Sequence, residues 1–524
     1  MDTNFIRDIV DDYDVVVGNT LPTKPDYVHF KNWKEALYLL WKHINNKNSG
    51  IIIHADVDLD GIGAAYVVRT ALCDYGCVGR VTAVINSIKE HGMSQAVVDY
   101  INKLNIGLFI IVDSSSNDME YIKQFNCDVL VLDHHVVSHT ESLVGRTANG
   151  NYVIVNNMVD NPQDNYKAES EMSGALVAYE VLRLYERETR MQYSSLENRL
   201  LYQWVGCTLI SDCIKTGNNR NQWYMQNTVC TMSMEPTLKI LKDKLDAWTP
   251  FLTKSFIGFK LAPTFNKAIR AGACVDALRV ALGTPQDVES LSKYGDIQNE
   301  IKSRAMNRVQ DTGGLALRPL DTDGSEANIT SSYSGIIAST VLETINKSSI
   351  AYTDKGSYIK GSFRGKIDGM NYRKIFEENG FFAQGHETAF GIEVDKSEIN
   401  RLSALIEKIE QSYIYRPYLT MFNIRSDIKG IHHIDDFESF RKSGGFAHIA
   451  IANSTLSNRE QINLVMTKEH VKVTAKHDKY MNVAVETLTG KSFETDINTP
   501  FVKMYLEYGK DIGVYIRNNN QVKE

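Results

Sequence analysis

The sequence has no CxxC pair, and its seven cysteines (Cys73, Cys77, Cys127, Cys207, Cys213, Cys230 and Cys274) are odd in number and scattered. That usage argues against a disulfide framework and against a zinc ribbon. No apolar run approaches the roughly 18 residues that span a bilayer; residues 106–112 are short and strand-like. The amino terminus, MDTNFIRDIVDDYD, is acidic where a secretory signal would be basic and then apolar, so a soluble, reducing compartment is expected. Internal repeats and low-complexity tracts are missing too. Nor is there an excess of basic charge. Against 57 Lys+Arg stand 64 Asp+Glu, a net charge of -7, so any nucleic-acid contact must be a local basic groove.

What is present is an ordinary globular balance: 43% hydrophobic and 23% charged residues over 524 positions. At about 150 residues per domain this predicts two to four domains. The first 215 or so residues alternate strand-like and helix-like stretches. Ile51-Ile52-Ile53, Val81–Ile85, Leu108–Val112 and residues 129–132 are short apolar runs, and residues 62–72, 171–189 and 195–210 read as helices. Fully apolar strands alternating with helices predict a parallel sheet covered on both faces. Residues 285–315 read as a helical connector. Beyond the loop 321–328 the β/α alternation resumes to about 412, and residues 413–524, richer in Thr and Val, read as a small, mostly β module. The expected architecture is therefore α/β: a parallel-sheet domain over 1–284, the connector, an α/β domain over 316–412 and the terminal module.

Four segments place carboxylates or histidines directly after what read as apolar strands: His54-Ala55-Asp56-Val57-Asp58-Leu59-Asp60-Gly61, Val112-Asp113, Leu132-Asp133-His134-His135 and Ile210-Ser211-Asp212. In an open parallel sheet the functional crevice lies at the carboxyl ends of the strands. Taken singly, an Asp after a strand is ordinarily a helix cap, and two adjacent histidines are ordinarily satisfied in a core. The run Asp56-x-Asp58-x-Asp60-Gly61 also looks like a calcium loop, but its downstream Glu is missing. Capping does not account for four such segments together.

The stretches HADVDLDGIGA, IVDSSSND, LDHHVV and LISDC resemble the four motifs of the DHH phosphoesterase superfamily, and more closely those of the RecJ single-strand-specific exonucleases. Three further stretches resemble that branch. Residues 173–178 look like the helix start after the DHH motif. Residues 262–270, Ala-Pro-Thr-Phe-Asn-Lys-Ala-Ile-Arg, match the pattern Ala-Pro-x-x-Asn-x-x-x-Arg. Gly361-Ser362-Phe363-Arg364, with residues 385–391, looks like the associated DHHA1 domain. The likeness covers roughly residues 50–395. It departs at Gln384-Gly385-His386, where the family has Gly-Gly-His, and at Gly365, where it has Ser. His54, spaced as in HxxxDxD, is similar instead to the pyrophosphatase and small-oligonucleotide branches.

The resemblance implies a DHH catalytic domain, a DHHA1 substrate-binding domain and a two-metal phosphodiesterase, most like a 5′-to-3′ exonuclease that releases mononucleotides from single-stranded DNA in repair and recombination. It implies a cytoplasmic protein of bacterial or bacteriophage origin, with no membrane partner. By the same resemblance His54 and Asp58 hold one divalent cation, Asp60, His134 and Asp212 hold the other, and Asp113 bridges them. Asp56 is either a further ligand or an orienting residue, Asp133 orients, and His135 meets the scissile phosphate or the leaving group. Two cations about 3.5–4 Å apart share and acidify a water and neutralise charge on the phosphoryl oxygens. Imidazole among carboxylates favours Mn²⁺ over Mg²⁺. Ser362 and Arg364 form a candidate phosphate fork, with Gly385 and His386 close to the substrate. Arg270 is read equally as an interdomain salt bridge or a phosphate contact. Lys360, Lys366, Arg373 and Lys374 line either a basic groove or a solvated face. Two other readings stand beside this one: the same chemistry on short oligonucleotides, cyclic dinucleotides or polyphosphate, and an inactive scaffold that binds single strands.

Overall fold

The computed structural model of the protein describes residues 23–412, apart from 170, 192–193, 213, 215–218, 230–232, 248–250, 254–255, 321–329, 368–369 and 386, together with eight strands between residues 421 and 516. The acidic amino terminus, the loop 321–328, Cys213, Cys230 and His386 lie outside the described residues. The chain packs as two units, one of residues up to 262 (without 86–90) and from 415 onwards, the other of residues 86–90 and 263–414. No described helix is long and apolar enough to cross a membrane.

The first unit holds a six-stranded sheet in the order β2-β1-β3-β4-β6-β5, with β1 Ile51–Ala55, β2 Val81–Ile85, β3 Leu108–Val112, β4 Asp128–Asp133, β5 Val144–Arg146 and β6 Asn151–Asn156. All neighbours are parallel except β5, which runs antiparallel to β6 at the edge. β1, β3 and β4 are buried along their whole length, which is why they are continuous apolar runs rather than alternating ones. The chain leaves β1 for β2 on one side and returns to β3 on the other. This reversal opens a crevice beyond the carboxyl ends of β1 and β3.

Several helices carry the site. An amino-terminal helix, α1, spans Trp33–Asn45, and α2, Leu59–Leu72, follows β1 directly. Further along come α3 (Gln95–Asn102), α4 (Gly174–Glu188) and α5 (Tyr202–Ser211). The single helix expected over 195–210 is two, Ser195–Asn198 and then α5, parted at Leu200, whose φ is 55°. Asp212 thus follows a helix, as the reading of 195–210 has it, and not the apolar strand placed before it among the four acidic segments; residues 203–210 are buried on every side, which leaves no 3.6-residue stripe.

β4 carries a carboxylate at each end. At its start Asp128 accepts hydrogen bonds from Lys42 Nζ (2.6 Å) and from Asn151 N (2.8 Å), and its Oδ2 lies 2.8 Å from His43 Nε2. Burial alone would raise this carboxyl, but these partners outweigh it and hold Asp128 well below the usual carboxylate range. The stability it contributes is thus present above about pH 4 and lost as pH falls through the depressed value. Asp128→Ala strands His43 in the core, and equilibrium urea unfolding at pH 7 is expected to show a loss of about 1–3 kcal/mol. An unchanged midpoint would show that the strand needs no such anchor.

The second unit contains a sheet in the order β11-β12-β10-β9-β8-β7: β7 Gln310–Asp311, β8 Ala316–Pro319, β9 Ser349–Asp354, β10 Tyr358–Arg364, β11 Phe382–Gly385 and β12 Ala389–Asp395. It is antiparallel except for the β8–β9 pair. Phe363, Phe376 and Phe390 meet in its core with ring centroids 4.8–4.9 Å apart. The helices that bear on its polar cluster are α6 (Ala262–Arg270), α7 (Lys293–Ser303) and α8 (Ser334–Ile345). Ser362 and Arg364, expected after a strand ending near Lys360, lie within β10, because pairing with both β9 and β12 continues to Arg364. The eight carboxy-terminal strands form one sheet, antiparallel but for a pairing between Met421–Arg425 and Ile449–Ile451.

Candidate metal centre

The turn after β1 is built around close backbone approach. Asp58 caps α2, its Oδ1 accepting the Gly61 N–H at 3.1 Å. A Cβ on Gly61 would lie 2.5 Å from the backbone N and O of Asp56, so only glycine lets the helix begin this close to the strand end. Asp56 is buried beside this turn.

β3 ends in Asp113, a non-glycine residue in the left-handed region at φ 63°. A short polar side chain is among the few that tolerate this conformation. Its N–H donates to Leu132 O at 2.9 Å, tying it to the end of β4. Gly174, at the start of α4, makes room for it: an added Cβ would lie 2.5 Å from both Asp113 Cβ and Oδ1. Asp60 turns the other way and accepts the Gly174 N–H at 2.5 Å and the Ala175 N–H at 3.0 Å, a carboxylate on the positive end of a helix.

The histidines after β4 are fixed through their second nitrogens. His134 Nδ1 lies 2.7 Å from the Met172 carbonyl, which can only accept, so Nδ1 carries a proton and the ring is turned with Nε2 toward the carboxylates. Nε2 faces Asp113 Oδ1 at 3.1 Å and Asp60 Oδ2 at 4.0 Å. Asp113 Oδ1 is itself buried and accepts no hydrogen bond. An imidazole nitrogen and a carboxylate oxygen at this distance are bound together by a shared proton or by a metal cation that both can ligate. Asp133, fully buried, accepts from His134 N (2.7 Å), His135 N (3.2 Å) and Ser116 N (3.0 Å), and its Oδ1 lies 2.8 Å from His135 Nδ1. Burial alone would raise this carboxyl, yet the histidines and the donors hold it low. Conversely, burial disfavours the His135 cation, but Asp133, with Asp56 and Asp58, pushes its pKa up to about 9. The His135 side chain remains half-exposed.

The carboxylates are mutually unfavourable. Burial, and then their neighbours Asp56, Asp58, Asp60 and Asp212, push Asp113 far above its ordinary value. Asp212 is raised likewise by burial, Asp60 and Asp58, and Asp58 by burial, Asp56 and Asp60. Asp56 goes the other way: burial would raise it, but His91 outweighs that and lowers it. Three sets of ligand atoms lie within 4.8 Å of one another: Asp56, Asp58 and Asp113; Asp60, His134 and Asp212; and Asp113, His134 and His135. Their oxygen and imidazole donors fit divalent cations, with Asp113 common to two sets.

Asp56, Asp58, Asp60, Asp113, His134, His135 and Asp212 are therefore brought together in these sets, and Asp133 stands behind the two histidines. His54 is not in any of the sets. Strand alternation puts it on the same face as Ile52, and its ring meets Phe109 edge-on, with centroids 6.1 Å apart. Asp56, just beyond the strand, takes the place expected for it. The reasoning from sequence missed His91, the Met172 carbonyl and Asn156, whose Nδ2 holds His135 O at 2.8 Å. None of these carries a local signal, since each is brought in from another element.

In the second unit a polar cluster surrounds Arg364. Its Nε donates to Ser339 Oγ at 3.2 Å and its Nη1 to Phe363 O at 2.7 Å, and no carboxylate pairs with it among the described residues. Burial and the charge of Arg270 lower its pKa to about 10. Ser362 Oγ lies 2.8 Å from Ser334 Oγ at the start of α8, and a Cβ on Gly335 would meet Arg364 Nη2 at 2.5 Å. Arg270 donates to Gln298 Oε1 at 3.0 Å. The Tyr333 hydroxyl and Asn266 Oδ1 are buried without hydrogen-bond partners. Gly385 has φ 141°, and its carbonyl accepts from Arg373 Nη1 at 3.1 Å. Lys360 is paired with Glu393 and Lys374 with Glu378, as on a solvated face.

Residues 50–209 match the family model described as the DHH family, N-terminal domain. No curated protein matches the chain. Among solved structures, RecJ in complex with Mn²⁺ from Thermus thermophilus aligns with a TM-score of 0.63 at 16% identity, covering 97% of this chain and 74% of that one. An exonuclease RecJ bound to manganese aligns with a TM-score of 0.54 at 19% identity, covering 74% of this chain and 97% of that one. RecJ from T. thermophilus with Mg²⁺ gives 0.55 at 15% identity, over 92% and 71%. At such identities the likeness establishes the fold.

Proposed function

Because residues 50–209 form a DHH-family phosphoesterase domain on a RecJ-like fold, we propose that this metal-dependent hydrolase is a two-metal exonuclease that digests single-stranded DNA from its 5′ end to mononucleotides. The observation that carries the two-metal reading is the gathering of five carboxylates and two histidines into three ligand sets that share Asp113 and His134. Asp56 and Asp58 hold one cation, Asp60, His134 and Asp212 the other, and Asp113 serves both. Bound there, the cations supply an acidified water and neutralise charge on the phosphoryl oxygens. The Met172 carbonyl keeps His134 Nε2 turned inward. Asp133 keeps His135 cationic and aimed outward, where its ring meets the phosphate or protonates the leaving oxygen.

The polynucleotide reading rests on the second unit. The half-buried Arg364 guanidinium, without a carboxylate partner among the described residues, suits an external anion, and a terminal phosphate carries more charge than an internal one. We read Arg364, Arg270, Ser362 and the start of α8 as that anchor, in a unit taken to be a DHHA1 domain. The spacing of His54 favours the reading as a pyrophosphatase or small-oligonucleotide enzyme, while the 524-residue length and residues 262–270 favour the exonuclease.

The test is one panel: purified chain with Mn²⁺ against 5′-labelled single-stranded DNA, duplex DNA, dinucleotides, a cyclic dinucleotide and pyrophosphate. Single strands are expected to be digested to mononucleotides, with activity abolished by EDTA and restored by Mn²⁺. Preferential hydrolysis of the cyclic dinucleotide or pyrophosphate would overturn the substrate assignment, and full activity in EDTA would overturn the chemistry.

A further inference from the structure

His91 lies 35 residues from Asp56 in the chain, yet its Nδ1 is 2.5 Å from Asp56 Oδ2. Because a carboxylate only accepts, Nδ1 is the donor. Gly92 adds its N–H to Asp56 Oδ1 at 3.4 Å. The same short segment is pinned a second time, Met93 N–H donating to Asp118 Oδ2 at 2.8 Å. Gly92 permits this double clasp: it adopts φ 75°, and a Cβ there would lie 2.5 Å from Asp118 Oδ2. Asp56 is buried, whereas the His91 ring is more than half-exposed. A solvated ion pair would leave both groups in water and would hold nothing in place. Here one partner is a buried carboxylate whose oxygen also lies within 4.8 Å of ligand atoms of Asp58 and Asp113.

We propose that His91 is a positioning residue for one of the two cations: it fixes the rotation of the Asp56 carboxylate so that an oxygen is presented to the site shared with Asp58 and Asp113. This rests on the two-metal reading above and adds to it a residue outside the four motifs. The other cation, held by Asp60, His134 and Asp212, has its own clamps in the α4 amides and the Met172 carbonyl. Loss of His91 therefore acts on one ion only.

The experiment is a titration of the full chain with Mn²⁺, followed by calorimetry and by electron paramagnetic resonance. Wild type is expected to bind two ions. In His91→Ala one of the two is expected to bind about tenfold more weakly, the lower end of the effect of such orienting partners, while the other is unchanged. His91→Asn places an amide N–H where Nδ1–H stood and is expected to recover most of the loss. That recovery would not follow from a merely structural role. Wild-type affinities for both ions in His91→Ala would overturn the proposal, as would an Asn variant no better than Ala. A wild-type chain that takes up no Mn²⁺ would instead overturn the metal reading together with this proposal.

Discussion

Asp113→Ala is expected to slow single-strand digestion by about three orders of magnitude, the effect of losing several kcal/mol of metal-borne stabilisation at 1.36 kcal/mol per decade. Only Asp113 and His134 belong to two of the three sets, and Asp113 alone of the carboxylates does so. Its carboxylate belongs both to the set with Asp56 and Asp58 and to the set with His134 and His135. Removing it empties one coordination position at each ion and leaves His134 Nε2 without its neighbour. The variant is expected to fold, because Asp113 Oδ1 accepts no hydrogen bond and losing the carboxylate removes its repulsion from Asp56, Asp58, Asp60 and Asp212. Circular dichroism would verify the fold while a calibrated exonuclease assay reads the rate. A variant that retained a tenth of wild-type activity would remove Asp113 from its bridging role.

Arg364→Ala addresses end recognition instead. The metals hydrolyse whichever phosphodiester reaches them, so selection of a 5′ end needs a second anchor. Loss of one charged hydrogen bond, at about 1.5–3 kcal/mol, predicts a fall of about ten- to hundredfold in digestion of 5′-phosphorylated strands. The preference over 5′-hydroxyl strands should shrink with it. Mn²⁺-dependent hydrolysis of an activated small phosphodiester should be retained, since no metal-ligand set includes Arg364. Should both kinds of strand be digested at wild-type rates, the anchor is not Arg364, and Arg270, which already acts on it electrostatically, becomes the residue to vary.

The parallel sheet was legible in the sequence because buried parallel strands appear as uninterrupted apolar runs, and most of the ligands stand at the ends of those runs. Spacing without facing has its limits, however. His54 has the interval of a ligand motif, but an interval does not say what a buried ring in β1 meets. Asp212 closes a stretch that reads both as a helix over 195–210 and as an apolar run ending at Ile210, and tertiary packing makes it a helix. Arg364 shows the complement: β10 runs on through Gly361 because both neighbouring strands supply partners, a matter of pairing rather than local propensity. His91 illustrates what no one-dimensional pattern holds, since its meaning depends on which carboxylate the turn after β2 folds back to meet.

The crowding of Asp58, Asp60, Asp113 and Asp212 has a thermodynamic corollary. A folded chain that keeps like-charged, desolvated groups together is less stable than the same chain with cations between them, and the unfolded chain, which disperses those groups in water, feels no such penalty. Ion uptake and folding are thus linked equilibria: each tenfold rise in free cation above its dissociation constant adds about 1.4 kcal/mol per site to the folded state. With ions bound as proposed, the melting temperature would report the free-ion concentration of the surroundings, and the same cluster would set how long the chain survives when divalent ions are scarce.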